Sequence, residues 1–242
     1  MAHPAAYDIQ THPQIYARSA GALYLAVIVL GGLAEGFITQ ALIVPGNNAA
    51  SINAILQRSE LWKLGLAANL VVPLIAVVQL WLEYLLLRPA GKTLALLFVL
   101  LNLASLSVEA VSKMFQLMVL PLAEAAQTTG LTQGYPLASL ALLGHGVAFN
   151  IALIFFGAAC LVIGTLIWRS GYLPRLIGAL MFLAGLCYLV ACFAELLAPS
   201  FASIINPAIL LPVLVGEASF CLWLLIRGVN VRGWERRSSS AY

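Results

Sequence analysis

Seven ionisable side chains lie within stretches of this chain that are otherwise apolar. They are Glu35, Glu83, Glu109, Lys113, His145, Glu195 and Glu217. Carboxylates and an imidazole at a similar depth can relay protons, act as acid and base, or bind a divalent ion. Placing an ionisable group in hydrocarbon costs free energy, so such residues usually mark a pathway for a substrate, an ion or a proton. The residue types leave these three kinds of chemistry open.

One helix face carries the densest set of polar groups. Its members recur at spacings of three and four residues: Asn102, Ser105, Glu109, Lys113 and Gln116. Glu109 and Lys113 are in the favourable order for an ion pair one turn apart, which would lower the cost of burying either charge. The alternative is a neutralised pair that only locks the helix against its neighbours. In both cases this face is predicted to point into the protein interior.

Glycines flank two of the ionisable residues. His145 lies between Gly144 and Gly146, and Gly31, Gly32 and Gly36 surround Glu35. We interpret the glycines around Glu35 first as a close helix contact and second as room for a ligand. A di-iron bundle would need a glutamate three residues before a histidine on one helix, and this spacing is absent. A metal site is therefore weakly supported, and both metal ligands and cofactors are left unknown.

These observations give two sets of candidate site residues. The predicted catalytic set is Glu109, Glu217, Lys113 and His145. The predicted substrate-binding set is Glu35, Asn69, Asn102, Gln116, Asn150 and Glu195. Glu83 is set apart, because its place near Arg88 at the inner end of its span favours snorkelling or a local ion pair.

The elements that must position these residues are transmembrane helices. Hydrophobic residues make up 62% of the chain, charged residues only 9%, and the mean hydropathy is +1.00. Soluble domains carry about a quarter charged residues, so these values exclude that class. Apolar runs of about 20 residues predict six spans, and hence an all-α, polytopic membrane helical bundle. The runs cover residues 17–44, 61–87, 93–122, 137–168, 173–197 and 205–226.

The loop charges predict the orientation of the bundle. Arginine and lysine gather at one end of the spans, at Arg18, Arg88, Lys92, Arg169, Arg175, Arg227, Arg232, Arg236 and Arg237. Arg58 and Lys63 fall at the other end. The positive-inside rule therefore places both termini in the cytoplasm. In this orientation Glu109 and Glu217 come to lie near the midplane, and Glu35, Lys113, His145 and Glu195 lie in the outer half of the bundle. This shared depth predicts a single polar, ionisable pocket that opens towards the outside.

The chain is predicted to be a single transmembrane domain over residues 1–242. A polar segment covers residues 1–16, a short interfacial helix covers 47–58, and a basic cytoplasmic tail covers 228–242. We find no nucleic-acid-binding pattern, and the four cysteines show no metal or redox spacing. The expected partners are membrane lipids, a hydrophobic small-molecule ligand and further copies of the chain.

Several segments carry a resemblance to a known family. They are residues 17–21, 42–46, 87–89, 149–157, 169–175 and 215–217, of which the Arg169 to Arg175 loop is the most specific. With these segments the chain resembles a family of bacterial multi-spanning membrane proteins known as domain of unknown function 4386. The resemblance implies the same helical fold and a bacterial inner-membrane location. It implies no activity and no catalytic residues.

Three classes of function remain open. In the first, a membrane enzyme, Glu109 and Glu217 exchange protons with a lipidic or isoprenoid-like substrate, while Lys113 and His145 tune their pKa values. In the second, Glu35, Glu109, Lys113 and Glu217 form the relay of a small proton- or cation-coupled carrier. In the third, the same interior binds a hydrophobic ligand or a partner helix without catalysis.

Overall fold

The computed structural model describes residue 9, residues 11–129 and residues 134–239, and these are almost entirely helical, with no strand among them. The α-helices are α1 (Pro13–Gly31), α2 (Gln40–Leu42), α3 (Asn48–Gln57), α4 (Ser59–Leu87), α5 (Lys92–Thr129), α6 (Gly134–Ser170), α7 (Arg175–Leu197), α8 (Pro199–Ile226) and α9 (Val231–Ser239). A π-helix, Gly32–Thr39, joins α1 to α2, and a 3₁₀ turn, Arg88–Ala90, follows α4. Residues 1–8 and 10 of the predicted polar segment and residues 240–242 of the predicted tail lie outside the described residues.

Six helical segments are long and apolar enough to cross a membrane, which confirms the predicted fold class and makes this a multi-pass membrane protein. The segments are Pro13–Leu42, Ser59–Ala90, Lys92–Thr128, Tyr135–Ser170, Arg175–Leu197 and Ala208–Ile226. Each overlaps one of the predicted runs. The 38 residues of α5 are about 57 Å long at 1.5 Å per residue, well beyond the hydrocarbon thickness of about 30 Å.

The chain divides into two compact units. Unit 1 comprises Met1–Leu25, Ala76–Ser105 and Leu153–Tyr242, and unit 2 comprises Ala26–Ile75 and Leu106–Ala152. Helices α1, α4, α5 and α6 contribute residues to both units. That the chain forms a single domain stays a prediction.

In unit 2, the short helix α3 covers an apolar cluster. Its Ile52 and Ile55 are fully buried, and Ile55 packs with Leu42, Trp62 and Val119. The side chain of Asn47 caps the helix by accepting a hydrogen bond from the Ala50 amide at 3.0 Å. The helix lies where the sequence predicts a short surface helix, and its placement at the membrane interface stays a prediction.

In unit 1, glycines bring α6 and α7 into backbone contact. Gly157 and Gly164 of α6 are seven residues apart, as are Gly178 and Gly185 of α7. A Cβ on Gly164 would lie 2.7 Å from the Gly178 carbonyl oxygen, and a Cβ on Gly185 would lie 2.7 Å from the Gly157 carbonyl oxygen. Small residues permit such close packing. Within a bilayer the hydrophobic effect does not drive helices together, so van der Waals contacts of this kind stabilise the helix pair instead. We call these four glycines the glycine seam.

At one end of unit 1, a single carbonyl anchors both the α6–α7 loop and α9. The Leu86 carbonyl oxygen accepts hydrogen bonds from the Tyr172 hydroxyl at 2.8 Å and from Trp234 Nε1 at 3.0 Å. Burial raises the pKa of Tyr172, so its hydroxyl stays protonated as a donor. Trp234 is 1% exposed, so α9 is docked by an apolar side chain as well as by this hydrogen bond.

We expect Trp234→Phe to destabilise the protein by about 0.5–1.5 kcal/mol, because it removes the indole donor and keeps an aromatic ring. Thermal unfolding in mild detergent measures this loss. Trp168→Phe is the matched control, since Trp168 is 50% exposed and should tolerate the change. Equal shifts in the two variants would contradict the docking role of Trp234.

Candidate functional site

Glu35 is the centre of a hydrogen-bonded cluster in unit 2. Its Oε2 accepts hydrogen bonds from Lys113 Nζ at 2.9 Å and from Asn69 Nδ2 at 3.2 Å. Its other carboxyl oxygen, Oε1, lies 3.3 Å from His145 Nε2. Side chains from the first, second, third and fourth spans thus meet at one carboxyl group. We call Glu35, Asn69, Glu109, Ser112, Lys113, Gln116 and His145 the Glu35 cluster.

The π-helix Gly32–Thr39 presents Glu35 to this cluster. Its wide turns are seen in the bond from the Gln40 amide to the Glu35 carbonyl, five residues back. The Thr39 hydroxyl likewise donates to the Ala34 carbonyl at 2.9 Å. π-Helices are rare and occur mostly as single-turn bulges, often at functional sites. Eight residues of π-helix around an ionisable side chain therefore single out this segment.

The glycines beside Glu35 do not make the close helix contact that their spacing suggests. A Cβ added to Gly32 or Gly36 would meet no described atom within 4 Å, and one on Gly31 would meet only Val72 at 4.0 Å. The packing interpretation was therefore wrong. The glycines instead leave open space along the exposed side of the π-helix.

Lys113 lies between two carboxyl groups and an aromatic ring. Its Nζ is 2.9 Å from Glu35 Oε2 and 3.9 Å from Glu109 Oε1, and it stands 4.8 Å from the centre of the Phe149 ring. Its side chain is 1% exposed, whereas those of Glu35 and Glu109 are 14% and 19% exposed. The cation is therefore enclosed, and the two carboxyls form the accessible side of the cluster.

The hydrogen-bond partners of His145 assign a hydrogen to its Nδ1. The Ser112 hydroxyl lies 2.8 Å from the His145 carbonyl oxygen, and between these two oxygens only the hydroxyl can donate. Nδ1 faces this same hydroxyl at 2.7 Å and the Ser112 carbonyl at 3.3 Å, and both must then accept. The histidine thus presents its second nitrogen, Nε2, to Glu35.

A second part of the Glu35 cluster consists of neutral polar groups. Gln116 Nε2 donates to the Thr39 hydroxyl at 3.0 Å, and Asn69 Nδ2 lies 3.4 Å from Gln116 Oε1. Asn69 is 3% exposed and Gln116 is 1% exposed. These amides fix the side of the π-helix that faces the interior of unit 2. They thereby hold the Glu35 carboxyl in place.

Unit 1 contains a separate, half-buried acid, Glu217. The Tyr188 hydroxyl donates to Glu217 Oε1 at 2.6 Å, and the Tyr24 hydroxyl also hydrogen-bonds this carboxyl. Tyr24 packs edge-on against Phe220, and Tyr188 packs edge-on against Phe156. Glu217 is therefore held by two phenols within an aromatic layer.

The remaining candidate residues have other surroundings. Glu83 is 3% exposed and accepts from Gln79 Nε2 at 3.0 Å, so it is buried and does not snorkel to the surface. In unit 1, Asn102 donates to the Phe98 carbonyl at 3.0 Å, and Glu195 is exposed near the end of α7. Asn150 is half-buried in α6, in unit 2. Of the predicted catalytic residues, Glu109, Lys113 and His145 belong to unit 2 and Glu217 to unit 1.

In the part of the chain that the structure describes, no group of three or more histidine, cysteine, aspartate or glutamate residues could hold a metal ion. The chemistry available to the Glu35 cluster from its own side chains is proton transfer and the binding of a cation by carboxyl oxygens.

The sequence comparison identifies the family. The model of the family described as Domain of unknown function (DUF4386) matches residues 19–228. The chain belongs to the DUF4386 family. The match includes every side chain of the Glu35 cluster, as well as Glu83 and Glu217 of unit 1, and it ends before α9 of this DUF4386 protein.

One relative of this DUF4386 protein is archaeal. A stretch of 79 residues is 32% identical to an uncharacterised protein of Archaeoglobus fulgidus, covering 33% of this chain and 45% of that protein. The match thus spans less than half the length of the relative. No solved structure matches the chain.

Sequence reasoning missed three contributors to the site in this DUF4386 chain. Ser112 follows Glu109 by three residues, so the polar face of α5 could have included it. Thr39 follows Glu35 by four residues and could have been found by the same spacing. Phe149 follows His145 by four residues, but an apolar ring carries no sequence signal that distinguishes it from ordinary core.

Proposed function

We propose that this DUF4386 protein is a small proton- or cation-coupled carrier and that the Glu35 cluster is its proton-binding site. The observation that carries the proposal is the contact between His145 Nε2 and Glu35 Oε1 at 3.3 Å. Because Nδ1 already carries a hydrogen, this contact is a hydrogen bond only when one proton lies between the two groups. Either an imidazolium faces a carboxylate, or a neutral imidazole faces a carboxylic acid.

A charge count supports a single exchangeable proton. With Lys113 charged and both Glu35 and Glu109 ionised, a neutral His145 leaves the cluster with a net charge of −1. One added proton makes the cluster neutral, whether it resides on His145 or on Glu35. Since an uncompensated charge inside a membrane is costly, release of this proton favours entry of another cation in its place.

The exposure of the groups supports access to this proton. Glu35 and Glu109 are partly exposed, while His145 and Lys113 are enclosed. The open space beside Gly32 and Gly36 lies along the same segment as Glu35. An incoming cation would thus meet carboxyl oxygens before the lysine that repels it.

The proposal includes a location and an assembly. The arginines around α9 and the α6–α7 loop support cytoplasmic termini in a bacterial inner membrane, by the positive-inside rule. Six spans without a visible repeat offer few ways to build alternating access within one chain, so we place the carrier in a homo-oligomer. Acid–base catalysis on a lipidic substrate is the competing hypothesis. Its two proposed acids, Glu109 and Glu217, belong to different units.

We expect Glu35→Gln to reduce cation-driven proton movement at least tenfold. Purified protein is placed in liposomes that contain a pH-sensitive dye, and sodium or potassium salt is added outside. The amide of glutamine cannot take up or release a proton, so the shared proton is lost. Glu60→Gln is the matched control, because Glu60 is an exposed carboxylate whose partner is Lys63.

Two outcomes would contradict the carrier proposal. One is dye signals from wild-type liposomes that match those from empty liposomes with each salt. The other is a Glu35→Gln variant that moves protons as fast as the Glu60→Gln control. Either result would favour the enzyme hypothesis or the hypothesis of a non-catalytic binding protein over the carrier.

A further inference from the structure

Three adjoining cavities lie at the end of unit 1 that carries α9, and the proposed carrier site does not use them. The first, of about 440 Å³, is lined by the loop residues Gly171 to Pro174 and by the stretch from Arg227 to Asn230, with Trp223. The second, of about 300 Å³, includes Gly171, Arg236 and Arg237. The third, of about 420 Å³, shares Pro174, Trp223 and Arg227 with the first. Each is of the size of a small-molecule site, about 300–1,000 Å³.

The first cavity has the groups that bind a phosphate. Arg227 is exposed, and within the described residues its guanidinium makes no hydrogen bond or ion pair. Helix α7 begins directly after Pro174. Pro174 occupies the N-cap position and makes no side-chain hydrogen bond to the first amides of the helix. Leu176 and Ile177, in the first turn of this 23-residue helix, line the third cavity, which shares Pro174 and Arg227 with the first. The start of the helix and the uncommitted arginine therefore border the same opening. Both features attract an anion, and arginine matches phosphate geometry with two parallel hydrogen bonds.

The third cavity is an apolar groove between α7 and α8. Its walls include Leu176, Ile177 and Leu180 of α7 and Leu222 and Ile226 of α8. Leu176 and Ile226 are 69% and 64% exposed. Pro174 to Leu180 are six residues apart, so the groove follows about 9 Å of helix. Such a groove suits part of an acyl chain, and Arg227 stands where it opens into the first cavity.

The charge around these cavities is strongly positive. After residue 217 the chain contains four arginines and a single acidic residue, Glu235. Arg236 and Arg237 line the second cavity. An anionic ligand would therefore meet positive charge on two sides of the loop that carries Gly171.

We propose that this end of unit 1 binds one anionic phospholipid, with its phosphate at Arg227 and the start of α7 and an acyl chain in the α7–α8 groove. Neither half of the site alone selects such a molecule. The cationic cavity alone would suit a soluble anion, and the groove alone would suit any lipid. Their continuity through Arg227 and Trp223 selects an amphiphile with a negative headgroup.

The test compares two arginine variants by native mass spectrometry. Delipidated protein is incubated with equal amounts of phosphatidylglycerol and phosphatidylcholine of the same chain length. We expect the wild type to retain one phosphatidylglycerol with at least tenfold preference and Arg227→Gln to lose that preference. Arg232→Gln is the matched control, because Arg232 is an exposed arginine of α9 that lines none of the three cavities.

Three outcomes would overturn the proposal. Equal loss of preference in both variants would mean that only the total charge of this end attracts lipid. No preference in the wild type would mean that the cavities do not select anionic lipid. Displacement of the retained lipid by millimolar inorganic phosphate would indicate a soluble-anion site. Because these measurements involve no proton movement, they are independent of the carrier proposal.

Discussion

Replacement of Lys113 by methionine is expected to destabilise the protein by about 3–5 kcal/mol, because it leaves two mostly buried carboxyl groups without their cation. Methionine has a similar length and keeps the apolar contacts of the lysine stem, so the change removes mainly the charge. The loss is measured as a shift in the unfolding transition in detergent. It should be accompanied by loss of proton movement in the liposome assay, because the cluster would then have to bind more than one proton to become neutral.

Two further variants separate charge from packing at Lys113. The double variant Glu35→Gln with Lys113→Met removes both partners of the 2.9 Å ion pair and should recover most of the lost stability. Lys63→Met is the matched control, because Lys63 is 54% exposed and pairs with Glu60 at the surface. If Lys113→Met unfolds at the same point as Lys63→Met, the buried ion pair does not stabilise the fold.

Replacement of Gly164 by valine is expected to cost about 3 kcal/mol or more, because it separates α6 from α7 at the glycine seam. A Cβ at this position would lie 2.6 Å from the Phe182 amide nitrogen and 2.7 Å from the Gly178 carbonyl oxygen. Both are backbone atoms, so no side-chain rotation can relieve the clash. Unfolding in detergent measures the loss, and Gly164→Ala should lower stability in the same direction by a smaller amount.

Gly146→Val provides the control within the same helix. A Cβ at Gly146 would meet no described atom within 4 Å, so valine should fit there. The helix propensities of the two variants change alike, which isolates the packing effect. A Gly164→Val protein as stable as Gly146→Val would show that the close approach of α6 and α7 contributes no stability.

The sequence predicted the six spans because a bilayer imposes a length and a composition that each span must satisfy. It also predicted the polar face of α5, since Glu109, Lys113 and Gln116 follow from helical spacing alone. All three belong to the Glu35 cluster. These successes concern properties that one helix has by itself.

The partners across helices could not be predicted in the same way. The spacing predicted that Glu109 pairs with Lys113, yet the closer carboxyl is that of Glu35, at 2.9 Å compared with 3.9 Å. Periodicity gives the phase of a side chain on its own helix and does not say which neighbouring helix it meets. The glycine seam could not be predicted for the same reason. Only the helix contact seen in the structure distinguishes Gly164 and Gly178 from a glycine such as Gly146.

The two units show a further limit of this reasoning. Depth along each span suggested that Glu217 and Glu195 share a pocket with Lys113 and His145. The structure gives Glu217 its own partners, Tyr188 and Tyr24, within unit 1. Depth orders residues along the bilayer normal and carries no information about their separation in the membrane plane. The shared pocket therefore stays a prediction.

The π-helix changes the directions in which side chains project along the first span. Its bonds span five residues, so each wide turn holds one more residue than an α-helical turn. Side chains before Gly32 and after Thr39 are therefore out of phase with any helical wheel drawn through the whole span. A change from π-helical to α-helical bonds would rotate the residues before Gly32 relative to those after Thr39. It would also move the Glu35 carboxyl relative to Lys113, Asn69 and His145, because Glu35 lies within the π-helix.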